Sequence, residues 1–94
     1  MTIELRPHDR FTPSPDVKVN VIDGEAVLLD LRTGAYFGLN KVGAHIWTLY
    51  GEGQSVHQAI EGVCQRFEVD AVRAERDTRA LTEKLVERGL LRLA

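Results

Sequence analysis

The chain has one cysteine and three histidines in 94 residues, and that scarcity removes several chemistries at once. Cys64 alone makes no intramolecular disulfide. His8, His45 and His57 are scattered, and no metal-ligand set is read among them, Cys64 and the carboxylates. Cys64 falls on an apolar helical face and reads as a small buried hydrophobe. Gly34 and Gly38 flank a short apolar segment without the spacing of a dinucleotide or phosphate loop. With no nucleophile–base pair, metal cluster or phosphate cradle, the expectation is a protein that is not an enzyme and needs no cofactor.

Charge of one sign is lacking too. The formal net charge is -2, so a polyanion is not the expected partner. No apolar run approaches the roughly 20 residues that span a bilayer. The segment Met1–Arg10 contains Glu4, Arg6, Asp9 and Arg10 and lacks the apolar stretch of a secretory signal, so a cytoplasmic location without membrane contact is expected. The 44% hydrophobic and 28% charged content is that of one small globular domain.

Proline is absent after residue 15. Pro7, Pro13 and Pro15 all lie in residues 1–16, which read as an extended N-terminal arm placed to touch the sheet. The folded domain is expected from 17 to 94. There Val17, Val19 and Val21 alternate with Lys18 and Asn20, the period of a half-buried strand. Asp23-Gly24 suits the positive φ values of a two-residue hairpin turn. Glu25–Leu31 makes a second strand with apolar side chains on both faces. Arg32-Thr33-Gly34 turns the chain again, and Ala35–Leu39 forms a short third strand.

The period then changes to 3.6. Asn40 caps a first helix whose inner side carries Val42, Ile46, Leu49 and Tyr50. Gly51 and Gly53 end it. Ser55 and Gln58 have the spacing of a capping box, and Val56, Ala59, Ile60, Val63, Cys64 and Phe67 form the apolar stripe of a second helix. A third helix runs from near Asp70 to Arg88 with Ala74, Thr78, Leu81 and Leu85 on one stripe. Gly89 ends it, and Leu90-Leu91 return to the core. The fold class is therefore α+β and winged helix-turn-helix-like, a three-stranded antiparallel sheet followed by three helices.

Such a fold also suits a DNA-binding regulator, with the last helix as reader. Its charges oppose that use. Arg73, Arg76, Arg79, Lys84 and Arg88 are matched by Asp70, Glu75, Asp77, Glu83 and Glu87, a poor footprint for phosphates. No nucleic-acid partner is expected.

The third strand is the distinctive element. It ends the meander, so it lies at a sheet edge, and nothing from Ala35 to Leu39 is charged. Edge strands are normally protected by charge, proline or a covering element. An open apolar edge beside a groove suits addition of a peptide strand, unless the third helix covers it. Tyr36 and Phe37 are adjacent and so point to opposite faces; Tyr36 is expected to border the groove.

The stretch from Leu29 to Val56 resembles the PqqD-like family of precursor-peptide recognition elements, which act on ribosomally made peptides. So does the ending, Asp77 with Leu81, Leu85 and Arg88-Gly89-Leu90-Leu91. Gly38-Leu39-Asn40 and Val42-Gly43-Ala44, with Ile46-Trp47, are most similar to the stand-alone members of lasso-peptide biosynthesis. The resemblance implies a leader peptide docked antiparallel to the third strand, beside the third helix. It also implies presentation of that leader to a separate leader peptidase, and passage of the core to an ATP-dependent macrocyclase. In the quinone-cofactor branch the partner is instead a radical enzyme. Carried onto this chain, the peptide-binding residues are Ala35, Tyr36, Phe37 and Gly38 on the strand, and Arg76, Asp77, Ala80 and Lys84 on the helix.

Overall fold

In a computed structural model, which describes residues 4–94, the chain order is β1 (Phe11–Pro13), β2 (Val17–Ile22), β3 (Glu25–Asp30), β4 (Tyr36–Leu39), α1 (Lys41–Gly51), α2 (Val56–Arg66), α3 (Ala71–Glu87) and β5 (Leu91–Leu93). The three strands expected as a meander are β2, β3 and β4. They form an antiparallel sheet in the order β2-β3-β4, so β4 is an edge strand.

Local chemistry sets the boundaries. Asp23 and Gly24 have φ of 54° and 79°, the left-handed pair that a two-residue hairpin needs between β2 and β3. Asn40 caps α1 by accepting from the Gly43 amide, and Asp70 caps α3 by accepting from Arg73. Ser55 and Gln58 make both bonds of a capping box at α2. Gly89, at φ 72°, lets the chain leave α3 for β5.

The core lies between the sheet's inner face and the three helices. Leu28, Ile46, Val56, Val63 and Leu85 are all essentially inaccessible. α1 and α2 approach closely at Gly62, where a Cβ would stand 2.6 Å from a Leu49 methyl. Within the core a polar chain runs Tyr50 to Thr82 to Thr78. The Thr82 hydroxyl donates to the Thr78 carbonyl at 2.7 Å, so the Tyr50 hydroxyl, also at 2.7 Å, donates to Thr82. Burial raises the Tyr50 pKa.

Three local departures have physical causes. Strand β2 is not half-buried. Val17 is partly covered, but Val19 and Val21 are 40% and 62% exposed, because the helices pack on β3 and β4 and leave the hairpin projecting as a wing. Cys64 is only partly buried, at the rim of a surface hollow shared with Ile60 and Arg79. Finally, β1 and β5 form a second, two-stranded antiparallel sheet with no strong sequence signal. Phe11 packs edge-on against Tyr50, with ring centroids 5.7 Å apart. Backbone bonds from Val56 to Asp9 and from His57 to Pro7 hold the preceding turn on α2.

Candidate functional site

The free edge of β4 faces a groove of about 630 Å³ whose far wall is α3. The third helix therefore does not cover the edge; it stands back from it. Phe37 and Leu39 of β4 line the groove, and Val42, Gly43 and Ile46 of α1 contribute to it.

One hydrogen bond gives the phase of the edge. The Asp30 amide donates to the Ala35 carbonyl at 2.9 Å, and these two residues are opposite in the register that pairs Leu28 with Phe37 and Ala26 with Leu39. In an antiparallel ladder, hydrogen-bonded and non-bonded pairs alternate. Residues 35, 37 and 39 thus turn their backbone groups toward β3. Tyr36 and Gly38 turn theirs outward, to the open edge. The side chains divide the other way: Phe37 and Leu39 share the inner face with Leu28 and Ala26, while Tyr36 and Gly38 share the outer face with Leu29 and Val27.

The expected site residues are distributed accordingly. Phe37 and Gly38 on β4, and Asp77, Ala80 and Lys84 on α3, are brought together around the groove. Ala35 and Tyr36 border a smaller hollow of about 170 Å³ on the other side of Phe37. Tyr36 is 69% exposed on the outer sheet face, so its backbone rather than its ring faces the edge. Arg76 is not a groove-lining residue; its guanidinium pairs with Asp77 at 3.5 Å from the solvent side.

Sequence reasoning did not single out Arg73, although the signal was present. Positions 73, 77, 80 and 84 fall on one helical stripe by i, i+4, i+7 and i+11 spacing, and all four line the groove. Leu81, assigned to the core, is partly buried and also lines it. Gly43 forms part of the floor. A Cβ there would meet Leu39 and Leu81 methyls at 3.3 Å each, so a side chain would narrow the groove.

The charges are unevenly paired. Asp77 lies between Arg73, at 3.7 Å, and Arg76. Lys84 and Arg88 join none of the ion pairs among the described residues. Arg88 lies over the Phe37 ring, its guanidinium carbon 5.1 Å from the centroid. Elsewhere, bonds from Arg32 hold the Asp30 carboxyl below its ordinary pKa. Among the described residues no group of three His, Cys, Asp or Glu side chains is placed to hold a metal. No helix among the described residues is long and apolar enough to cross a membrane.

Comparison with known proteins agrees with this geometry. The solved structure of TbiB1 in complex with the TbiA(beta) leader peptide is 40% identical in sequence, covering 85% of this chain and 93% of that chain at a TM-score of 0.78. That of lasso peptide synthetase B1 complexed with the leader peptide is 34% identical, covering 88% and 98% respectively at a TM-score of 0.79. No match was found among curated protein sequences. A family model described as coenzyme PQQ synthesis protein D (PqqD) matches residues 25–91, from the first residue of β3 to the first of β5, and the chain belongs to that family.

Proposed function

We propose that this protein binds the leader segment of a ribosomally made precursor peptide, a lasso-peptide precursor, by strand addition to β4. The observation that carries the reading is the pair of outward backbone groups at Tyr36 and Gly38, open on a groove whose other wall is α3. A peptide strand laid antiparallel to β4 exchanges hydrogen bonds with those groups. Its inward side chains enter the space between Phe37, Leu39 and Leu81. Gly38 carries no side chain, and nothing lies within 4 Å of where its Cβ would be, so a second backbone can come close. Both similar structures hold a leader peptide, which supports this ligand class.

The chain itself does no chemistry in this account. It holds the leader, and a separate leader peptidase and then a macrocyclase act on the precursor. The DNA-binding reading is not favoured: Arg73, Arg76 and Arg79 are each paired with an acidic side chain of the same helix.

Fluorescence anisotropy with labelled TbiA(beta) leader peptide, with a scrambled peptide and duplex DNA as controls, tests the reading. Saturable binding of the leader peptide alone supports it. Preference for DNA, or equal affinity for the scrambled peptide, overturns it.

A further inference from the structure

Backbone pairing along an edge strand carries no register of its own, since a slip of two residues recreates the same bonds and the same faces. At β4 the problem is acute, because one of its two outward positions is Gly38, which offers no side chain to read. The apolar space between Phe37, Leu39 and Leu81 accepts many apolar side chains, so a charged group beside the strand adds discrimination between registers.

Lys84 and Arg88 are one helical turn apart, near the C-terminal end of α3. Lys84 lines the groove together with Phe37. Arg88 covers the ring of the same phenylalanine and borders the hollow beside Tyr36. Both are exposed and form no ion pair among the described residues. The other nearby cation, Arg32, is spent on Asp30 and on the Gly89 carbonyl. The opposite end of the groove differs: Arg73 and Asp77 neutralise each other there, and Glu68 joins no ion pair among the described residues. Glu83 and Glu87 of the same turns line neither the groove nor the hollow, so the charges of α3 and its flanks that do line them are cationic at the Phe37 end and neutral to negative at the start of α3.

We propose that Lys84 and Arg88 form a carboxylate subsite, which takes an Asp or Glu side chain from the peptide segment lying beside Tyr36 and Phe37 and so sets the register of strand addition. This deepens the leader-binding reading above and rests on it. An ion pair at an exposed rim is worth about 0.2–1 kcal/mol, up to about fivefold in affinity per contact. That is too little to hold a peptide and enough to choose between registers. Arg88 also has a structural use, since a cation over Phe37 near a helix C-terminus is stabilising in itself. The test must therefore read a preference rather than a loss.

Labelled TbiA(beta) leader peptides, each with one position changed to Glu or to Lys, are titrated against the wild type, Lys84→Glu and the double variant Lys84→Glu/Arg88→Glu. In the wild type, one position of the strand-pairing segment favours Glu over Lys by about 3- to 10-fold. In the double variant the preference at that position inverts while other positions keep theirs. Lys84→Glu, at an exposed site with no partner to lose, shows the same change at about half the size in free energy and covers the case in which the double variant melts early. If the wild type binds the peptides but neither variant shifts any preference, the carboxylate subsite is wrong and leader binding stands. If the wild type binds none of them, leader binding falls and the subsite with it.

Discussion

The Asp30 amide donates to the carbonyl of Ala35 at 2.9 Å, and this bond, where β3 meets the residue that enters β4, decides which residues of β4 face a ligand. The sequence shows that backbone groups alternate along an edge strand but not with which phase. Here Tyr36 and Gly38 face outward while Ala35, Phe37 and Leu39 face β3. The backbone contacts and the groove side chains therefore come from different residues.

That division predicts different results for the two aromatic residues. Phe37 is partly buried against the core and lines the groove, whereas Tyr36 is 69% exposed on the outer sheet face. Phe37→Ala removes a large apolar contact worth about 1.5–3 kcal/mol and should weaken TbiA(beta) leader binding about 10- to 150-fold, with some loss of thermal stability. Tyr36→Ala should leave the melting temperature nearly unchanged. It removes only a cross-strand pair worth about 0.2–1 kcal/mol, so binding falls by no more than about fivefold. Anisotropy titration and thermal melting on both variants check this. The reverse ranking would place the ligand on the outer face of the sheet.

The salt dependence of leader binding should be shallow. Phe37, Leu39, Val42, Ile46 and Leu81 supply the groove's apolar contacts, and Arg73 and Asp77 balance each other, so screening acts mainly on Lys84 and Arg88. Raising salt from about 50 to 300 mM should change the dissociation constant only a few-fold. A change of a hundredfold or more would signal a phosphate-like ligand.

The buried hydroxyls make a paired prediction about stability. Thr82→Val leaves the Tyr50 hydroxyl without its acceptor and should cost about 1–3 kcal/mol. Thr78 is equally inaccessible, but its hydroxyl has no hydrogen-bond partner among the described residues. Thr78→Val keeps the shape and removes an unsatisfied group, so it should be neutral or stabilise by up to about 1 kcal/mol. Urea denaturation followed by Trp47 fluorescence, which reports from the core, separates the two.

Two titrating groups predict how stability varies with pH. His45 packs edge-on against Phe67, and burial, with the charge of Arg66, holds its pKa below the ordinary 6.5. As pH falls through 6.5 the unfolded chain takes up a proton that the folded chain refuses, so stability declines from there down to the lower folded pKa. Asp30 is the acid case, its pKa held below 3.8 by bonds from Arg32. Its contribution is complete above 3.8 and is lost as pH falls through the lower folded value. His45→Gln should remove the first decline, and Asp30→Asn the second, in urea titrations at a series of pH values.

Much of the frame was legible because it rests on short-range chemistry. Asp23-Gly24, Asn40, the Ser55–Gln58 box and Gly89 each act within a few residues, and each marks the boundary the sequence assigned to it. Partners distant in sequence were not legible. Phe11–Pro13 pairs with Leu91–Leu93 across nearly the whole chain, and nothing in either triplet announces it. The exposure of Val19 and Val21 depends on how far the helices reach across the sheet, which alternation alone does not reveal. At the site, Asp77, Ala80 and Lys84 came with the family resemblance and share one stripe by helical spacing, and Arg73 belongs to it by the same rule. Arg76 lies round the helix from that stripe, pairing with Asp77 from outside the groove.

The central claim, that a leader peptide adds as a strand to β4, is tested most directly by comparing Gly38→Pro and Phe37→Pro, each with its alanine control. The Gly38 amide faces open edge in the free protein, and a Cβ there meets nothing within 4 Å. Gly38→Pro should therefore melt close to Gly38→Ala, yet lose affinity for the TbiA(beta) leader peptide by at least about tenfold relative to it, the worth of one backbone bond plus the clash of the ring. The Phe37 amide faces β3, so Phe37→Pro should melt well below Phe37→Ala. If Gly38→Pro stays folded and binds the leader peptide as tightly as Gly38→Ala, the peptide does not add to this edge, and the mechanism is wrong.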